Sequence, residues 1–299
     1  MSTAPVSPKV FTSEFPTWCP SCGDFGVLRA LQNAAAQLGL QPHEIVIVSG
    51  IGCSGKINSY FNCYGLHTLH GRALPVAQGV KLANPRLTVI ASGGDGDGYG
   101  IGAGHFMHAV RRNVDITYIV MDNQVYGLTK GQTSPTSPHG FTSTTTPHGA
   151  AEYPVRPLRV ALANGVTWLA QGFSGDIKQL TALMVKAIRH HGFSLLNVIS
   201  PCVTYRKTIV DADGQRVGVY EWFRQHLHNL EADPDYDPRD RAHAFEALLR
   251  WEDLVTGVIY EEERPAYDGY LPGYTQQPLA DLVRPLEESE LEQIAAQFR

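Results

Sequence analysis

Apolar, β-branched runs that end on glycine or asparagine recur along this chain, and helix-forming stretches separate them. EIVIVSG at 44–50, RLTVIASGGDGD at 86–97 and DITYIVMDN at 115–123 are three such runs. VTWLAQGF at 166–173 and SLLNVIS at 194–200 read as two further strands. Between them, 25–40, 73–84, 102–113 and 176–192 read as helices. Continuously apolar strands alternating with helices call for a parallel sheet with helices on both faces, since such strands have no polar side to turn to water. The expected fold class is therefore α/β. Ligands of such sheets gather at the carboxyl ends of the strands. Three motifs stand there, around Cys53, Asp95 and Cys202.

A chain of 299 residues can bury one large α/β domain or two smaller ones. Its formal net charge of −5 argues against nucleic-acid binding as its main business. No apolar run approaches the roughly 20 residues that span a bilayer, so no membrane role is expected. MSTAPVSPKVF at the start shows no export signal. The expected location is the cytoplasm, where stable disulfides are rare and five cysteines are ligands, reactive thiols or core residues.

Composition changes twice. Residues 129–158 are rich in Thr, Ser, Pro, Gly and His and read as a long loop inside a folded domain, the kind that often carries function. Past residue 205 the chain becomes charged and aromatic. The expected division is a cofactor-binding α/β domain over 1–210 and an irregular extension over 211–299, packed on its own core or on a partner.

GGDGDGYGIGAGHF, from Gly93, follows a strand and precedes a helix. Glycines let backbone approach a ligand, and the helix N-terminus offers amides to phosphate. No Gly-Lys-Ser/Thr follows, so this is not a Walker loop. Asp95 or Asp97 would repel a bare pyrophosphate; two carboxylates make sense if Mg2+ intervenes, binding hard oxygens and bridging carboxylate to phosphate. Asn123 lies 28 residues beyond Asp95, one helix and one strand later, and so reaches the same sheet edge. Its amide oxygen and a backbone carbonyl just beyond it suit the same ion. A GDG followed at this distance by Asn is the thiamine diphosphate signature.

Cys19 and Cys22, in CPSC, have a spacing that can grip zinc, run thiol–disulfide exchange or hold half of an iron–sulfur cluster. Cys53 and Cys202, each just past a strand, could meet them in space. Four thiolates suit zinc or a 4Fe-4S cluster. Zinc ribbons usually present two close pairs, whereas one pair with two distant singletons is more typical of a buried cluster. Cys63 is left over and reads as a small apolar residue.

CPSCGDFG, SGIGCSGK, HTLHGRALPVAQGVKLANP, the segment from GGDGDGYG to GLTKGQTSPTS, and SPCVTY occur here in that order. Over about 14–225 the chain closely resembles the β subunit of the two-subunit 2-oxoacid:ferredoxin oxidoreductases, most of all the 2-oxoglutarate branch. The resemblance implies that Cys19, Cys22, Cys53 and Cys202 ligate one 4Fe-4S cluster. It implies Mg2+ bound by Asp95, Asn123 and the carbonyl of Val125, with Gly96 and Asp97 near the diphosphate. Ile51, Gly52, Cys53 and Ser54 would line the thiamine site, with Gly127 and Leu128 against the cofactor. Lys56 would face the carboxylate end of the 2-oxoacid and His70 the reacting centre. The implied activity is oxidative decarboxylation of a 2-oxoacid to acyl-CoA and CO2, with coenzyme A as co-substrate and ferredoxin as electron acceptor, or the reverse carboxylation. An α subunit would supply the Glu that activates thiamine and the Thr and Arg groups that hold the substrate, in an α2β2 assembly. A pyruvate-specific or broad-specificity enzyme, a non-oxidative thiamine enzyme and a zinc-stabilised non-catalytic subunit are the competing readings. His67 and His70, at i and i+3, could also pair on a metal, and Lys56 could be a solvated surface residue.

Overall fold

The computed structural model of the chain describes residues 6–211, 213–271, 274 and 278–298. Its strands are β1 (Ile45–Ser49), β2 (Tyr64–His67), β3 (Thr88–Gly94), β4 (Ile116–Asp122), β5 (Trp168–Phe173), β6 (Phe193–Ile199), β7 (Thr208–Val210), β8 (Arg216–Gly218), β9 (His228–Asn229) and β10 (Val255–Glu261). Eight of them form one sheet in the order β2-β1-β3-β4-β6-β5-β10-β9, and β7 pairs with β8 as a separate hairpin. β2 through β5 in that order are all parallel; β10 joins β5 antiparallel.

Side chains alternate between the two faces of each strand. Val46 and Val48 of β1 enter one core and Ile45 and Ile47 the other. The first core is closed by α3 (Ala73–Ala83), α4 (Ala103–Arg112), α5 (Pro157–Ala163) and α8 (Arg241–Arg250), the second by α1 (Asp24–Gln37), the short α2 (Ile57–Tyr60) and α6 (Ile177–Arg189). A further helix, α7 (Val219–His226), lies with Phe173 and Ile199 in a third, smaller cluster. Each fully buried Leu, Ile or Phe is worth about 1.5–3 kcal/mol, so the two large cores hold the sheet from both sides.

Topology places the site. From β1 the chain steps outward to β2, then crosses back to β3 on the other side of β1. Loops leaving β1 and β3 therefore diverge and open a crevice, the switch point of a doubly wound sheet. Residues 129–158 carry α5 from Pro157 onward but no other helix or strand, so the long loop runs from the end of β4 to that helix.

β2 escapes sequence reading because all four of its residues are exposed and it has no apolar pattern. The extension beyond 210 is more regular than its composition suggests. Its Ala244, Leu248, Val255 and Ile259 sit in the first core, since VTGVIYE is an apolar strand set among Pro, Tyr and acidic residues. Among the described residues no helix is long and apolar enough to cross a membrane.

Candidate active site

β3 delivers Asp95 to the crevice at 1% exposure, and the chain then turns through Gly96–Ile101. The glycines are steric requirements. A Cβ on Gly96 would fall 2.1 Å from the Tyr126 ring, and one on Gly98 would fall 2.0 Å from Tyr118 Oη. At the end of β1, Gly52 has φ +132° and nothing within 4 Å of a would-be Cβ, so bare backbone faces open space there.

Thr136, from the long loop, donates from Oγ1 to Asp95 Oδ2 at 2.7 Å and stands 2.9 Å from Asp122 Oδ1. One hydroxyl proton cannot satisfy both carboxylates. Burial raises the pKa of both acids, and Asp95 raises Asp122 further. Two buried carboxylates flanking one hydroxyl make a place where a cation is stabilised. Asn123 Oδ1 accepts from Val125 N at 3.0 Å, across Gln124 in the left-handed region at φ +59°. That turn leaves Asn123 and Val125 on the crevice wall. An oxygen donor set of this kind beside unclad glycine backbone fits Mg2+ and a diphosphate.

Asp97 has other work. Its Oδ1 accepts from Ile51 N at 2.9 Å, Gly71 N at 2.8 Å and His70 Nδ1 at 2.8 Å. The carboxylate is 2% exposed and packed so closely that a Cβ on Gly50 would fall 1.9 Å from it. It clamps the loops after β1 and β2 together and orients His70. With the Nδ1 proton given to Asp97, Nε2 is the free nitrogen of a ring that lines the crevice. His67 instead meets Ser49 Oγ at 3.3 Å, so the two histidines have separate partners. Ile51, Gly52, Cys53, Ser54, His70, Asp95, Gly96, Asp97, Asn123, Val125, Gly127 and Leu128 all line this one crevice, together with Tyr126 and Thr129.

A second cavity adjoins it, walled by Cys19, Cys22, Cys53 and Cys202 with Trp18, Lys56 and Tyr205. The Cys19–Cys22 turn closes on a Cys22 N to Cys19 O bond of 3.0 Å, with Ser21 left-handed at φ +66°. Trp18 Nε1 donates to Cys53 O at 2.7 Å and fastens this N-terminal segment to the loop after β1. Gly127 lies against the thiols: a Cβ there would sit in ordinary contact, 3.6 Å from Cys53 Sγ and 3.8 Å from Cys202 Sγ. Among the described residues no three His, Cys, Asp or Glu side chains are gathered as for a single metal ion; the four thiols line a cavity. Burial pushes the Cys53 thiol up to about 11 and Cys22 higher still, while Lys56 draws Cys53 down. Lys56 is thus on the cysteine side of the shared wall. Cys63 lies outside both cavities, half-buried, its thiol pushed up by burial to about 12.

Sequence reading missed Thr136, Asp122, Trp18, Asp24 and Arg206. Arg206 is held to about 10 by burial, despite Asp122, Asp95 and Cys202 around it. Thr136 stands in the segment GQTSPTS, whose hydroxyl density was a signal, though not of which carboxylate it would meet. Asp24 and Arg206 each lie close in sequence to a cysteine of the cavity, and nothing local marks them as buried.

Residues 50–198 match the family described as thiamine pyrophosphate enzyme, C-terminal TPP binding domain, which is the class that fold and crevice define. Residues 202–276 match the family that describes the C-terminal part of the pyruvate ferredoxin oxidoreductase beta chain. A 2-oxoacid:ferredoxin oxidoreductase subunit beta of Saccharolobus solfataricus is 46% identical over 262 residues, 84% of this chain and 83% of that protein. A 2-oxoglutarate oxidoreductase subunit KorB of Mycobacterium tuberculosis is 39% identical over 209 residues, 70% of this chain and 56% of the relative. The solved 2-oxoglutarate:ferredoxin oxidoreductase of Magnetococcus marinus, with 2-oxoglutarate, coenzyme A and succinyl-CoA bound, superposes with a TM-score of 0.84 at 38% identity, over 99% of this chain and 97% of that one. This chain belongs to the β subunits of the 2-oxoacid:ferredoxin oxidoreductases.

Proposed function

We propose that the chain is the β subunit of a 2-oxoglutarate:ferredoxin oxidoreductase, working with an α subunit in an α2β2 assembly in the cytoplasm. The reaction converts a 2-oxoacid anion, coenzyme A and two oxidised ferredoxins to acyl-CoA, CO2, two reduced ferredoxins and one proton, and it also runs in reverse as carboxylation. Bound thiamine diphosphate supplies the electron sink for decarboxylation, and a 4Fe-4S cluster supplies a one-electron acceptor.

Each part of the chain has a task in this reading. Asp95, Asn123 and the Val125 carbonyl hold Mg2+ against the diphosphate, with Gly96 as bare backbone beside it. Ile51, Gly52, Ser54, Gly127 and Leu128 wall the cofactor. His70 presents Nε2 to the reacting centre, and Asp97 fixes its tautomer. Cys19, Cys22, Cys53 and Cys202 hold the cluster. Residues 1–210 act as the cofactor-binding unit, and 211–299 as an extension tied to it by β10.

One observation carries the reading. Cys53, Asn123, Gly127 and Leu128 line both the crevice and the cysteine cavity. A two-electron oxidation in the first compartment therefore has a one-electron store across a single wall.

The relatives named KorB and the 2-oxoglutarate-bound neighbour support the substrate. Lys56, a compact cation near the wall, suits a second carboxylate. The relatives named only for 2-oxoacids support a broader specificity as the second reading. Co-purification with the α subunit, followed by a panel of 2-oxoacids with coenzyme A and a low-potential dye, tests the assignment. Failure of every 2-oxoacid to drive reduction overturns it. Lys56→Ala should reduce turnover of 2-oxoglutarate more than that of pyruvate; equal losses contradict the role given to Lys56.

A further inference from the structure

Behind the cysteine cavity lies a carboxylate that this chemistry leaves without a task. Asp24 opens α1 two residues after Cys22 and is 1% exposed. Its Oδ1 accepts from Ser200 Oγ at 2.7 Å, while Oδ2 is buried with no partner. Ser200 is also 1% exposed and lies two residues before Cys202. The Asp24–Ser200 bond thus joins the segment that carries Cys22 to the one that carries Cys202. Gly23 makes the approach possible: its N–H reaches Pro201 O at 3.4 Å, and a Cβ on it would fall 2.5 Å from Ser200 Oγ.

A merely structural role at this position needs a hydrogen-bond acceptor for Ser200, which Asn or Ser also provides. What a carboxylate adds at pH 8 is a negative charge where water cannot screen it. Resting on the reading that the four thiols hold a 4Fe-4S cluster, we infer that Asp24 is a positioning residue that lowers the reduction potential of that cluster. Reduction brings in one electron from the 2-oxoacid and changes no bond at Asp24. A buried anion two residues after one ligand cysteine, and hydrogen-bonded to the residue two before another, makes that electron costlier to accept and readier to leave for ferredoxin.

Redox titration of the assembled enzyme, followed by electron paramagnetic resonance at pH 8 under anaerobic conditions, tests this. In Asp24→Asn, at the wild-type midpoint, the ratio of reduced to oxidised cluster should rise from one to about ten, a shift of about 59 mV for one electron. Asp24→Ser, which also removes the charge, should shift the same way. Ser174→Ala, which removes only a neutral hydroxyl nearby, should not. An Asn or Ser variant with wild-type iron content and a wild-type midpoint overturns the inference. So does loss of iron from both variants, because Asp24 would then be needed for assembly alone. Absence of iron from the wild-type enzyme would instead overturn the cluster reading on which the inference stands.

Discussion

Thr136 sits within 2.9 Å of two buried carboxylates and is a polar link between the long loop and the candidate cation site. A hydrogen bond to a charged group is worth about 1.5–3 kcal/mol. Thr136→Val should therefore weaken Mg2+-dependent thiamine diphosphate binding by about tenfold or more, measured by calorimetry on the assembled enzyme, and Thr136→Ser should restore it. Equal binding by all three proteins would remove Thr136 from the site. Serine at Cys19 or at Cys22 should abolish iron loading while thiamine diphosphate still binds, read by iron analysis beside the same titration. Asp95, Asn123 and the four cysteines stand out in the sequence by residue type and spacing, and the fold brings them to two adjoining cavities. Asp97 was legible as a site residue but not in its role. Its three donors come from the loops after β1 and β2, an encounter that only the folded crossover creates.

Elements were read where burial imposes a pattern. β1, β3, β4, β5 and β6 are buried over nearly their whole length and so are written as largely apolar runs. β2 is an exposed edge strand that owes its place to pairing with β1, which leaves no mark on composition. β10 is apolar enough to be seen, yet charges and prolines on either side of it mask the pattern. Its Ile259 is fully buried in the first core. Ile259→Ala should cost about 2–5 kcal/mol, measured as a loss of global unfolding free energy in urea. A separate, early transition for the extension, with the main transition unmoved, would show that β10 is not part of the core.

At the scale of the whole molecule, one half-buried histidine gives the fold a pH dependence. His190 Nε2 lies 2.9 Å from Thr167 Oγ1, and burial, with His191 beside it, holds its pKa below the ordinary value against the opposing pull of Asp115 and Glu262. A depressed histidine stays neutral in the fold while the unfolded chain takes up the proton. Its contribution is therefore present above about pH 6.5 and lost as pH falls below it. His190→Gln should narrow the difference in Tm between pH 7.5 and pH 5.5, and an unchanged difference would refute this assignment.

The architecture also sets what the molecule does as a unit. A switch-point crevice with an oxygen donor set shares one wall with a cavity ringed by four thiols. The central claim is that electrons released in the first compartment enter the second. The direct measurement is electron paramagnetic resonance of the anaerobically purified assembly, frozen after addition of 2-oxoglutarate and coenzyme A with Mg2+ and thiamine diphosphate present. The account predicts the signal of a reduced 4Fe-4S cluster that appears with substrate and is absent from a Cys53→Ser enzyme. A protein that holds zinc without iron, or an iron–sulfur cluster that no 2-oxoacid reduces, would contradict it.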